Sequence, residues 1–269
     1  MSAPPLAGAP PADVAVPAAV RRLAGDRALR PVWLNGQGGL TFEVLGEPSS
    51  FVKFVPANSG GSLATEAAKL AWANPHAPSP RVLAFGHDET GEWLETAAMA
   101  GLNAVDERWR QDLAPVIAAV GRGLRALHDA LPVADCPYSW MAEARREAVR
   151  HRAAAGLIIP ADWRPELRHL SLDEALAIIE DIPPIDRLVV CHGDACAPNT
   201  LIGATGGWVG HVDFGALGLA DRWADVAICA WSLDWNFGPG WDAAFYAAYG
   251  VDPDPDRIAY YRLLWALEG

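Results

Sequence analysis

No CxxC pair occurs in this chain, and no cluster of histidines stands near its four cysteines, Cys136, Cys191, Cys196 and Cys229. That argues against a zinc site, and scattered thiols of this kind suit a reduced, cytoplasmic protein. No apolar run reaches the roughly 20 residues that a membrane-spanning helix needs. The opening residues are rich in Ala and Pro but have no basic start followed by an apolar block, so residues 1–16 are expected to be a disordered tail rather than a signal peptide. Basic charge is scarce as well. With 21 Lys and Arg against 33 Asp and Glu, the formal net charge is −12, which argues against nucleic acid and anionic membranes as partners. The same balance is compatible with a cationic small molecule, and equally with a merely soluble acidic protein.

What the chain does have is length and apolar content. Its 269 residues, about half of them hydrophobic, suit either one catalytic unit of two lobes sharing a cleft or one large domain. The most informative stretch is Val189-Val190-Cys191-His192-Gly193-Asp194-Ala195-Cys196-Ala197-Pro198-Asn199. An apolar run ends in a short polar loop that carries an Asp and, five positions later, an Asn. A second apolar run then leads to His211-Val212-Asp213-Phe214-Gly215. Either piece alone reads as an ordinary turn. Together, in this order, they have the grammar of a kinase catalytic centre. Asp194 would orient an attacking hydroxyl and take its proton, while Asn199 and Asp213 would hold magnesium on the phosphates of ATP. Cys196 stands beside the proposed base but has no evident His to activate it as a nucleophile.

The first third reads as a small antiparallel sheet with one helix. Pro17 to Leu23 is expected to be a short helix, and Val32-Trp33-Leu34, a glycine turn at 35–39 and Leu40 to Leu45 a hairpin. Gly38 at its tip would let backbone N–H groups approach phosphate, or would merely turn the chain. Phe51-Val52-Lys53-Phe54-Val55 is an apolar strand with one cation, costly to bury unless it finds an anion. Glu66, in a helical run with Leu63, Ala67, Leu70 and Ala71, supplies one. Arg81 to Phe85 and Glu92 to Glu95 complete the sheet, and residues 96–101 would cross between lobes. The remainder reads helical. Leu113, Val116, Ile117, Val120, Leu124 and Leu127 mark a buried helix that ends at His128, expected to be a capping or packing residue. Further helices are expected from Ser139 to about Ala155, from a capping box at Ser171 and Glu174, and from Ala220 to about Leu233. The fold class is therefore α+β, with a nucleotide-binding lobe at 17–97 and a larger, mainly helical catalytic lobe at 98–269. Five tryptophans in the last fifth (Trp223, Trp231, Trp235, Trp241, Trp265) are expected mostly in the core, with some left to wall a sugar site.

The run Cys191 to Cys196 with Pro198-Asn199, and later Leu217-Gly218-Leu219-Ala220-Asp221-Arg222 with Asp225, resembles the aminoglycoside phosphotransferases, in the group acting on a 3' or 3'' hydroxyl. Protein kinases carry Arg where Gly193 stands. The likeness spans about Val32 to Leu264 and implies a protein-kinase-like two-lobe fold, ATP and Mg2+ as cofactors, and an antibiotic-resistance activity. It also implies that Lys53 and Glu66 pair at the nucleotide, that Thr96 and Ala98 meet adenine through main-chain atoms, and that Asp225 braces the catalytic loop. Carboxylates that could receive a cationic acceptor are Asp162, Glu166, Asp234 and Glu268. The family tends to have Ser at the Gln37 position. An acidic pair after the Gly156 segment is replaced here by Arg164 and Pro165. The acidic pair with two aromatics at the end is replaced by Leu264-Trp265-Ala266-Leu267-Glu268-Gly269. These departures lean towards a guanidinium-bearing, streptomycin-type acceptor at 3''. A kinase of choline, homoserine or a macrolide, or a nucleotide-binding pseudokinase, would share the core; the expected assembly is a monomer or weak dimer.

Overall fold

A computed structural model describes residues 8–268, apart from 12, 37, 58, 60 and 61. The chain forms two compact units, Met1–Ala100 and Gly101–Gly269. The unit boundary lies three residues beyond the one drawn from sequence.

The first unit begins with α1 (Ala18–Ala24), followed by β1 (Leu29–Leu34), β2 (Leu40–Val44), β3 (Ser50–Pro56), α2 (Leu63–Ala73), β4 (Val82–Asp88) and β5 (Gly91–Ala97). Its strands make an antiparallel sheet in the order β1-β2-β3-β5-β4. Alternation along β3 sends Val52 and Phe54 to one face, where they join Phe42 and Val44 against Ala19, Val20 and Ala24 of α1. Lys53 points the other way and meets α2. The composition of residues 1–16 predicts a frayed tail; residues 1–7 and 12 lie outside the described residues, and the rest is held. Gly8 exchanges two backbone hydrogen bonds with Leu34, at 3.0 and 2.9 Å, and Val14 and Val16 pack on the α1 core. Two valines covering an apolar surface give this segment a reason to stay in place that an Ala/Pro count does not reveal.

The second unit carries β6 (Leu102–Asn103), α3 (Leu113–Ala130), α4 (Ala142–Ala154), α5 (Leu172–Ile178), β7 (Leu188–Cys191), β8 (Thr200–Ile202), β9 (Trp208–His211), β10 (Gly218–Asp221), α6 (Trp223–Phe237), α7 (Asp242–Tyr249) and α8 (Pro255–Glu268). The apolar face of α3 is buried as its spacing predicts. The capping box at α5 is complete: Ser171 N donates to Glu174 Oε2 at 2.8 Å, and Glu174 N donates to Ser171 Oγ at 3.2 Å.

Two helix starts differ from the sequence reading. Helix α4 begins at Ala142 rather than Ser139, because Tyr138 to Trp140 run as a strand-like segment that exchanges backbone hydrogen bonds with Leu219. Helix α6 begins at Trp223 rather than Ala220. The residues before it form β10, antiparallel to β7, with Gly218 opposite Cys191 and Asp221 opposite Leu188. Asp221 then closes the strand by accepting Trp223 N at 3.0 Å and Asp186 N at 2.7 Å. The strands β7 and β9 deliver the two motif loops, 192–199 and 212–217. This is an α+β, protein-kinase-like fold: a small antiparallel sheet with two helices, and a larger, mainly helical unit.

Candidate active site

The loop leaving β7 is held by a single buried carboxylate. Asp225 of α6 accepts His192 N at 2.6 Å and Gly193 N at 2.9 Å, as the resemblance implies. It also meets His128 Nε2 at 2.9 Å, and His128 Nδ1 lies 2.8 Å from the Tyr249 hydroxyl. Burial would push the Asp225 pKa up, but the hydrogen bond and charge of His128, the charge of His192 and the Gly193 amide outweigh it and hold the group below the usual carboxylate range. His128, expected to be a packing residue, is thus part of the brace. The sequence places it 97 residues from its partner, with no local signal joining them.

The loop is then stitched to the strand carrying the second motif. His192 Nε2 donates to Val212 O at 2.9 Å, one residue before Asp213, while its Nδ1 faces Asp194 N at 3.3 Å. Ala197 N donates to Ser232 Oγ at 2.8 Å. Gly193 has φ +85°, and a Cβ there would lie 2.3 Å from Ala216 O, so this backbone approach admits glycine alone. Asp213 has φ +69°, the one positive φ outside glycine among the described residues. That conformation costs on the order of 1 kcal/mol, the kind of strain that collects at functional sites.

Asn199 Nδ2 donates to Asp194 O at 2.9 Å and to Asp194 Oδ2 at 3.0 Å, which fixes the carboxylate and leaves the Asn199 amide oxygen as its remaining polar atom. Burial first, then the charge of Asp213, raises the Asp194 pKa above its ordinary value. A carboxylate and an amide oxygen close to a second carboxylate are a donor set that fits a hard divalent cation. The structure therefore brings Asp194, Asn199 and Asp213 together.

In the first unit, Lys53 Nζ lies 2.7 Å from Glu66 Oε1, with the Glu66 side chain only 7% exposed. Helix α2, which carries Glu66, has no cap from Ser62. Its N-terminus is instead held by Glu92 of β5, whose Oε2 accepts Leu63 N at 2.7 Å and Ala64 N at 3.3 Å. Gly38 is exposed with φ +82°, and Gln37 lies outside the described residues. Thr96 lies inside the sheet, between Phe51 and Val82. The Ala98 N–H donates to Ser49 O at 3.2 Å, so it is already engaged.

Asp194 also lines a cavity of about 560 Å³ within the second unit, walled by Trp140, Arg145, Trp265 and Glu268. Of the four acceptor candidates, only Glu268 borders it, and it is not free. Arg145 clasps it through Nε at 2.8 Å and Nη2 at 2.6 Å while lying over the Trp140 ring. Glu166 Oε1 accepts Trp231 Nε1 at 2.8 Å, and its own backbone N–H with that indole holds its pKa low. Asp234 on α6 is pushed up by burial and then by the charge of Asp242. Asp162 is exposed, and among the described residues no hydrogen bond or ion pair joins it to the other three. The sequence reading missed Trp140 and Arg145; Trp265 and Glu268 across the cavity lie more than a hundred residues away in the chain.

The family model described as the phosphotransferase enzyme family matches residues 29–261. The chain is 35% identical to an aminoglycoside 3'-phosphotransferase of Streptomyces fradiae over 242 residues, 84% of this chain and 90% of that protein. It is 33% identical to a streptomycin 3''-kinase of Streptomyces griseus over 241 residues, 84% of this chain and 87% of that one. Among solved structures it resembles an aminoglycoside-3'-phosphotransferase of type VIII with a TM-score of 0.81 at 30% identity, covering 93% of this chain and 96% of the other. It matches APH(3'')-Id of Streptomyces rimosus in complex with ADP and streptomycin with a TM-score of 0.75 at 28% identity and the same coverage. A braced Asp-x-x-x-x-Asn loop joined to Asp-Phe-Gly, and these likenesses along most of its length, lead to one conclusion: the chain belongs to the phosphotransferase enzyme family, among the aminoglycoside phosphotransferases.

Proposed function

We propose that the chain phosphorylates a streptomycin-type aminoglycoside at its 3'' hydroxyl, using ATP. The observation that carries the reading is Asp194: Asn199 fixes its carboxylate, and the same residue forms part of the wall of an acceptor-sized cavity. Asp194 orients the acceptor hydroxyl, whose oxygen attacks the γ-phosphorus in line. The new O–P bond forms as the bond to the ADP oxygen breaks, and the hydroxyl proton passes to Asp194 late in the transfer. Asn199 and Asp213 hold the magnesium, which when bound neutralises phosphate charge. Lys53, held by Glu66, contributes an ammonium to the phosphates, and Gly38 a backbone N–H. Thr96 and Ala98 meet adenine through main-chain atoms, Ala98 by its carbonyl because its N–H is engaged.

The lean to streptomycin rests on charge. A drug rich in ammonium groups needs several free carboxylates. Here Glu268 is neutralised by Arg145, and Glu166, Asp234 and Asp162 do not line the cavity. The protein acts in the cytoplasm as a monomer or weak dimer, where ATP is available and its thiols stay reduced. A coupled ADP-release assay with streptomycin, kanamycin, neomycin, choline, homoserine and a macrolide tests the proposal, followed by locating the phosphate on the product. Streptomycin should give the highest kcat/KM and carry phosphate at 3''. Turnover confined to the non-aminoglycoside alcohols would overturn it.

A further inference from the structure

Helix α6 presents Trp231 and Trp235 one turn apart, and Trp265 of α8 packs against both, with ring centroids 6.1 and 5.4 Å away. On this surface lies the guanidinium of Arg164, 3.6 Å from the centre of the Trp235 ring and 5.7 Å from that of Trp231. Among the described residues no carboxylate comes within 4.0 Å of it, although the chain forms ion pairs freely elsewhere. Burial lowers the pKa of Arg164 from the usual arginine value. The charge of Glu166 favours this cation from a distance, and its close contact is aromatic: indole faces attract a guanidinium, whose flat, weakly hydrated surface stacks where a compact ammonium would keep its water. Trp235 and Trp265 are only half-buried, so the face can be reached.

Its position relates it to the acceptor. Trp265 also walls the cavity that contains Asp194. Trp231 lies beneath Trp235 and Trp265, buried and covered by Arg262 at 5.6 Å. We propose that the Trp235–Trp265 face is a seat for a guanidinium group of the acceptor, and that Arg164 fills it while the acceptor is absent. This rests on the aminoglycoside reading and deepens it by naming the group recognised. The exchange is like for like. An incoming guanidinium restores the stacking that Arg164 gives up, and Arg164, with no ion pair to break, moves into water. An ammonium-only drug offers no such return, so Arg164 keeps the seat. Glu166 anchors the segment through Trp231 Nε1 and need not move.

Titration calorimetry of the full chain with streptomycin, which carries guanidinium groups, and kanamycin, which carries only ammonium groups, tests this. Arg164→Ala vacates the seat and should tighten streptomycin about fivefold more than kanamycin. Trp235→Leu removes the face and should weaken streptomycin about tenfold relative to kanamycin, in line with the strength of partly desolvated cation–π contacts. Tryptophan emission should respond to streptomycin in the wild type and less so in Trp235→Leu. Should that variant fold poorly, Arg164→Ala and Trp235→Phe carry the same comparison. A ratio of the two affinities that stays within twofold of wild type in these variants overturns the seat. If the wild type phosphorylates none of streptomycin, kanamycin and neomycin, the aminoglycoside reading itself falls; if it phosphorylates them and the ratio is unaltered, only the seat falls.

Discussion

Asp194 illustrates how a single residue trades stability for chemistry. Burial and the neighbouring Asp213 raise its pKa in the folded protein. The folded state therefore holds that proton more tightly than the unfolded chain, and stability falls as pH rises from about 4 through the raised value. An amide at this position escapes the cost of burying a charge. Asp194→Asn is expected to raise the thermal midpoint of the metal-free protein by a degree or more while lowering kcat by at least about a thousandfold, with nucleotide binding retained. Calorimetric melting beside the ADP assay checks both halves, and turnover within tenfold of wild type would remove Asp194 from its role. The wild-type kcat/KM should decline on the acid side as Asp194 protonates. Gly193 gives a second test. A methyl group there meets Ala216 O at 2.3 Å, so Gly193→Ala should cost at least about a hundredfold in kcat because the loop must shift. A variant as active as wild type would show that the close approach is dispensable.

Helix α2 shows why an element can be placed correctly and its support still be overlooked. Its apolar spacing and its Glu66 are local, so the sequence reveals them. Its N-terminal partner is Glu92, on a strand 29 residues later than Leu63, and nothing near Ser62 announces it. The same holds for β10, which reads as the start of a helix because its pairing with β7 is a matter of register between distant segments. If Glu92 positions α2 so that Glu66 meets Lys53, then Glu92→Ala should raise the KM for ATP about fivefold with little change in kcat. Glu92→Gln, which can still accept a hydrogen bond, should recover part of it. Titration with a fluorescent ATP analogue reads the effect directly. A fall in melting temperature with unaltered nucleotide affinity would make Glu92 a helix cap and nothing more.

At the scale of the whole molecule, the motifs were legible because phosphoryl transfer asks for few residues at short spacing, whereas the cavity beside Asp194 was legible only in part: Glu268 and Trp265 were among the candidates, Trp140 and Arg145 were not. Arg145 and Glu268, 123 residues apart, are recognisable as a pair only once α4 and α8 have packed. Charge is the property that spans both levels. The net −12 read from composition attracts a cationic acceptor and repels ATP over distances comparable to the screening length. The two substrates should therefore respond to salt in opposite directions. Raising NaCl from about 50 to about 500 mM shortens that length from roughly 14 to 4 Å, which should raise the KM for streptomycin several-fold and leave the KM for ATP unchanged or lower. Initial rates at fixed free Mg2+ measure both. A parallel rise in both constants would mean that local contacts, such as those of Lys53 with the phosphates, dominate over the field of the chain as a whole.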